Sequence, residues 1–108
     1  MTAIYHIATA QAWAEAQAAG SYRESTRGLS LADVGFIHCS YAHQVPRVAR
    51  TFYADVPDLV LLTIDTERLT AELREDPVQE TGEVYPHIYG PLNLEAVVDA
   101  ASFDVPGD

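Results

Sequence analysis

Apolar and polar positions along this chain fall into short, distinct patterns. "AIYHIA" mixes β-branched and aromatic residues and predicts a first strand. "TAQAWAEAQAAG" is alanine-rich, with Thr9 placed to cap its start and Gly20 its end, and predicts a helix of roughly ten residues anchored to the core by Trp13. "SYRESTRGLSLADV" is polar and punctuated, so a long loop with one helical turn is expected; such loops are often functional. "GFIHCS" reads as a short strand. Ser40 is then expected to cap a helix over "YAHQVPRVARTFYAD", where Val45, Val48, Ala49 and Phe52 recur at spacings of three and four. Pro46 must lie in the first turn of that helix, or the helix starts later than Ser40.

"DLVLLTID" is a near-continuous apolar run, the pattern of a central strand buried on both faces. "TERLTAEL" is a turn or short helix, and the acidic "REDPVQETGE" an exposed loop or hairpin. "VYPHIYGPLNLE" carries two prolines and Gly90 and is read as a shaped loop rather than a regular element. "AVVDAASF" is the closing strand, and only the tail, residues 104–108, looks loose. The order of strands and helices predicts one α+β domain over residues 1–108, with helices on a small sheet and a core from about residue 4 to 103.

Length and charge narrow the function. A chain of 108 residues with 48% hydrophobic content can bury one core without staples. Cys39 is the one cysteine, so no internal disulfide forms and a reducing compartment is expected. "MTAIYHIAT" has neither a basic region nor a long apolar run, so no signal peptide or membrane span is expected, and the cytoplasm is the expected location. The net charge is −10, and all six basic residues are arginines. Such a chain repels polyanions, which argues against general nucleic-acid binding and against attachment to an anionic membrane. A local arginine or a helix N-terminus can still hold one small anion. The sequence leaves the oligomeric state open.

The candidate chemistry lies in the histidines His6, His38, His43 and His87. His6 and His38 stand at or near strand ends, each just before a predicted helix start, with Thr9 and Ser40 beside them. That arrangement suits a small pocket for a phosphate or ribose. A single histidine is more often a hydrogen-bonded structural residue, so the case rests on their company. His43 is expected to face solvent. Cys39 follows His38, but adjacent strand residues point to opposite faces; if His38 faces a cleft, Cys39 faces the core. Tyr22 and Tyr89 lie in Gly/Pro-marked loops where a ring can stack on a planar ligand. Glu83, just before "YPHIYG", is the carboxylate of interest, although a loop surface position is its simpler reading. Three histidines plus water is a known zinc arrangement, but His6, His38 and His87 contain no close pair such as H-x-x-x-H, and no metal is assigned.

"IYHIAT", "GFIHCS", "LVLLTID" and "YPHIYGPLNLEAVV", spread from about Ile4 to Phe103, resemble the small bacterial family called domain of unknown function 952. That family's fold is similar to that of ADP-ribosyltransferases, including the RNA 2′-phosphotransferases. The resemblance implies a split, curved β-sheet with two main helices and a cleft for a nicotinamide dinucleotide; the sequence leaves the cofactor open, with NAD the candidate. "YHIAT" is similar to the "YHGT" pattern whose histidine contacts the nicotinamide ribose, which gives His6 that role. His38 and Ser40 of "IHCS" fit the second motif, and His87 and Tyr89 stand in the third. Many members carry a catalytic glutamate there; Glu83 and Glu95 are both nearby, and the sequence does not choose between them. The phosphotransferase branch uses basic residues instead. Here only Arg23, Arg27 and Arg47 are near, so an RNA substrate does not suit the charge.

The resulting expectation is a histidine-lined ligand cleft of transferase type. His6, His38 and His87 are its catalytic candidates, and Thr9, Tyr22, Ser40 and Tyr89 its ligand contacts. The alternatives are a non-catalytic module for a small molecule or protein, and a metal-dependent hydrolase.

Overall fold

A computed structural model describes residues 2–106. Gly107 and Asp108, part of the tail expected to be loose, lie outside the described residues. The chain runs β1 (Ala3–Thr9), α1 (Ala10–Ala19), β2 (Ser21–Tyr22), α2 (Leu31–Val34), β3 (Ile37–His38), α3 (Val45–Phe52), β4 (Leu59–Asp65), β5 (Glu72–Pro77), β6 (Val84–Tyr89), β7 (Leu92–Asn93) and β8 (Val97–Phe103). It is a mixed α+β fold with antiparallel sheets. One sheet has the order β1-β4-β8, a second β3-β6-β5, and β2 pairs with β7.

The two core strands each divide two apolar clusters. On β1, Ile4 and Ala8 face one cluster while Tyr5 and Ile7 face the other. On β4, Val60, Leu62 and Ile64 share the first cluster, and Leu59 and Leu61 the second. This explains the unbroken apolar run of β4: with no solvent face, period-two alternation has nothing to mark. α1 covers the first cluster with Ala12, Trp13 and Ala16. Thr9 caps it by accepting the Ala12 N–H, and Gly20 ends it at φ 93°, a backbone that favours glycine. α3 covers the second cluster with Val45, Val48 and Ala49.

Four expectations are corrected. Ser40 does not cap a helix: its backbone pairs with Tyr5 of β1 in an isolated bridge, and α3 begins only at Val45, with Pro46 in its first turn. A short 3₁₀ turn over Ala42–Gln44 precedes it, its start held by the Tyr41 N–H donating to Gln44 Oε1 at 2.9 Å. Phe52 turns outward and Tyr53 takes the buried place, because the apolar stripe ends one residue past the helix.

"VYPHIY" is not a loop but β6, the central strand of its sheet. A strand residue's N–H and C=O point to the same neighbour. The Pro86 carbonyl accepts the Cys39 N–H at 3.0 Å, so the proline's missing donor also faces β3, whose ladder ends at His38. Gly90 closes the strand where a Cβ would sit 2.8 Å from the Ala71 Cβ. The tail is also less loose than expected, since Val105 packs on the second cluster.

Leu62, fully buried at the centre of β4, and Val98, exposed on the edge strand β8, test this arrangement. Leu62→Ala is expected to cost about 2–5 kcal/mol and Val98→Ala within about 0.5 kcal/mol, read from urea midpoints. Equal costs would contradict a core centred on β4.

Candidate active site

β3 and β6 sort their side chains by face. Ile37, Cys39 and Ile88 point into the first cluster. His38 and His87, directly paired across the ladder, point the other way. Cys39 is buried, and burial raises its thiol pKa; it sits in the core as the alternation requires.

On the opposite face of that sheet the rings form a chain. Asp76 of β5 lies diagonally across the β5–β6 ladder from His87. Its Oδ2 is 2.7 Å from His87 Nδ1 and also accepts the Tyr89 hydroxyl. His87 Nε2 is 3.1 Å from His38 Nδ1. Phe36 stacks on His87 at 4.0 Å, and Tyr85 leans on His38 at 5.1 Å. The hydroxyl of Tyr89 and the imidazole of His87 hold the Asp76 carboxyl below its usual range, so Asp76 is an acceptor only. With one proton per ring, His87 Nδ1–H donates to Asp76 and His38 Nδ1–H donates to His87. His38 Nε2 is left with a bare lone pair, shut off from solvent and without a hydrogen-bond partner among the described residues. Desolvation first, and then the neighbouring His87 and His6, bring the His38 pKa down to about 4.

His38 lines a cavity of about 240 Å³ with Arg47, Thr51, Phe52, Glu83 and Tyr85. Glu83 is half-buried there. It accepts from Arg47 Nη1, Gln44 Nε2 and the Tyr85 hydroxyl, each at 3.2 Å. Glu95 is exposed near Asn93 and does not line this cavity.

His6 belongs to the same chain of contacts but from behind. It is 3% exposed, in the face of β1 between Ile4 and Ala8. Its Nδ1–H donates to the His38 carbonyl at 2.6 Å, and its Nε2 accepts the Tyr22 hydroxyl at 2.8 Å. Both ring nitrogens are therefore engaged, and in this structure His6 braces His38 rather than lining a cavity. Burial brings its pKa down to about 4, partly offset by the hydrogen bond to the carbonyl. The His38 N–H is held in turn by Ser25 Oγ at 3.1 Å.

The other expected contacts separate. Thr9 and Tyr22 line a second cavity of about 210 Å³ with Glu24, Ser25, Arg27 and Tyr53. Ser40 is buried on its bridge to Tyr5. Tyr89 caps Asp76 and lies under the Arg74 guanidinium at 4.5 Å, along a third hollow. His43 is exposed, stacked on Tyr41. Among the described residues no group of three or more His, Cys, Asp or Glu side chains is placed to hold a metal. The nitrogens of His6 and His87 all have hydrogen-bond partners.

Asp76 is the site residue that sequence reasoning missed. Its signal was register: once "REDP" and "VYPHIY" are paired as a hairpin, Asp76 shares a face with Tyr85, His87 and Tyr89.

Residues 7–100 match the family described as protein of unknown function (DUF952). No curated protein matches the chain. The crystal structure of protein CC0527 from Caulobacter crescentus is similar over 99% of this chain and 90% of that one, with 33% identity and a TM-score of 0.84. The solution NMR structure of CC0527 is similar over 96% and 86%, with 34% identity and a TM-score of 0.76. No helix among the described residues is long and apolar enough to cross a membrane.

The buried neutral histidines make stability depend on pH. Below the ordinary value of 6.5 the unfolded chain takes up protons that folded His6 and His38 refuse until about pH 4. Their stability is therefore complete above 6.5 and is lost as pH falls through this window. His6 alone is expected to withdraw about 2 kcal/mol between about pH 7.5 and about pH 5. In urea titrations, His6→Gln should be weaker at the higher pH and show a shallower fall. A parallel pH dependence in variant and wild type would mean that His6 titrates normally.

Proposed function

This chain belongs to the DUF952 family, and from two cavities, one lined by His38 and one by its and His6's hydrogen-bond partners Ser25 and Tyr22, we propose that it binds a nicotinamide dinucleotide and breaks the nicotinamide–ribose bond, as an ADP-ribosyltransferase-like transferase. The observation that carries this reading is the meeting of His38 and Glu83 on one cavity wall. Cleavage of that bond develops oxocarbenium character, which a carboxylate stabilises. Glu83 supplies it, and Glu95, outside the cavity, does not. The two three-stranded sheets, joined at the Tyr5–Ser40 bridge, fit the split sheet that this class of fold requires.

Each cavity is smaller than the ~300–1,000 Å³ of a pocket that encloses a drug-sized ligand, so each suits one half of a dinucleotide. The nicotinamide ribose belongs beside His38 and Glu83. The other nucleotide belongs beside Thr9 and Tyr22, where the N-terminus of α1 and Arg27 favour a phosphate and Glu24 suits ribose hydroxyls. A non-catalytic binding module is the second reading. It is favoured by the hold of Arg47, Gln44 and Tyr85 on Glu83, which a reacting ribose has to displace in part.

Calorimetric titration with NAD, followed by a nicotinamide-release assay, separates the readings. Saturable binding and release are expected. Glu83→Gln should bind NAD within about threefold of wild type and release nicotinamide about 100-fold more slowly. Binding without release supports the module. Absence of NAD binding by the wild-type protein overturns the dinucleotide reading.

A further inference from the structure

A hydrogen-bonded network built only for stability ends on satisfied atoms, because a buried donor or acceptor left unpaired is destabilising. The Asp76–His87–His38 chain ends on an unpaired nitrogen, at a residue lining the cavity that also holds Glu83. Its other end is fully used: Asp76 accepts from both His87 and Tyr89, and Phe36 covers the His87 ring. The backbone of His38 is fixed on both sides, by Ser25 at its N–H and by His6 at its carbonyl. These constraints together orient one atom, His38 Nε2, which is shut off from solvent in the free protein and, with one proton per ring, is an acceptor.

We propose that Asp76 and His87 are positioning residues that make His38 the general base of this site, and that the acceptor of the transferred group is a neutral hydroxyl, water or an alcohol. The proposal rests on the dinucleotide reading above. An ionised carboxylate or phosphate acceptor has no proton to lose and needs no base; a guanidinium holds its proton too tightly for an imidazole. A hydroxyl must lose its proton as its oxygen bonds to carbon, which is the task of a positioned imidazole. In the step, the hydroxyl oxygen forms a bond to ribose C1′ and the C1′–nitrogen bond to nicotinamide breaks. That electron pair stays with the nicotinamide and neutralises its ring. The hydroxyl proton moves to His38 Nε2, an atom shut off from solvent in the free protein that the bound ligand has to uncover. The resulting imidazolium donates from Nδ1 to His87, which donates to the Asp76 carboxylate, so the new positive charge faces a fixed negative one.

Two measurements test this. The first is ¹⁵N NMR of the imidazoles, which needs no substrate: His38 is expected as the Nδ1–H tautomer in the wild type and to lose that preference in His87→Phe. A wild-type His38 protonated at Nε2 overturns the positioning role. The second is product analysis with NAD in a water–methanol mixture. ADP-ribose and its methyl glycoside are expected together, and His87→Phe should lower the release rate about 10- to 100-fold with KM for NAD within about twofold. Asp76→Asn serves where His87→Phe does not fold. Undiminished release in a folded variant overturns the proposal while leaving the dinucleotide reading intact. Failure of wild type to bind NAD overturns that reading and the acceptor assignment with it, and the tautomer measurement still decides the positioning role.

Discussion

The hydrogen bond from His6 Nδ1–H to the His38 carbonyl joins the two halves of this protein. Beside it, Tyr5 and Ser40 exchange both backbone hydrogen bonds at 2.8 Å, the bridge between the β1-β4-β8 sheet and the strand leading out of β3. β1 has one edge on β4 and gives the other to this short contact. A buried imidazole is an expensive way to fill a core position, since it must be kept neutral and both nitrogens must find partners. Here it does what an aliphatic side chain cannot: it fixes the carbonyl of the residue whose side chain lines the cavity. Tyr22 completes the arrangement by donating to the second nitrogen, which ties β2 to the same point.

How far the sequence discloses this depends on range. Local signals are faithful: Thr9 and Gly20 bound α1, Pro46 marks the first turn of α3, and the apolar run of "LVLLTID" is a central strand. Where the outcome depends on a distant partner, local signals mislead. Pro86 reads as a break, yet it sits in a central strand because β3 stops where the proline's missing N–H would have been needed. Ser40 reads as a cap, but Tyr5, far off in sequence, claims its backbone. The strand-end histidine of "YHIAT" reads as a ligand contact. Only the burial of β1 on both faces reveals that the ring faces inward.

The site shows the same division. Alternation alone separates His38 from Cys39 and sends the thiol to the core. The meeting of His38 with His87 was expected only as a convergence of histidines, because their direct pairing is a matter of register between β3 and β6. Asp76 was hidden among carboxylates in an acidic stretch whose general reading is a solvated surface. Pairing singles it out: Glu72 and Glu75 on the same strand turn to Arg74 and Tyr41, and Asp76 alone of the three meets an imidazole.

Charge distribution fits a small polar ligand better than a polymer. The chain carries −10 overall, yet each cavity beside the His6–His38 link has one arginine on its wall, Arg47 in one and Arg27 in the other. Both are engaged by carboxylates, Arg47 by Glu83 and Arg27 by Asp55. The Arg27–Asp55 pair is exposed and weakly held in water, so a ligand oxygen can displace Asp55 readily, whereas half-buried Glu83 is held by Gln44 and Tyr85 as well as Arg47 and yields only in part. A polyanion would have to engage many cations at once and would meet the acidic surface between them. A compact ligand with one or two anionic groups needs only these two, and its diffusion to the site is slowed, not blocked, by a field screened within about 8–10 Å at physiological salt.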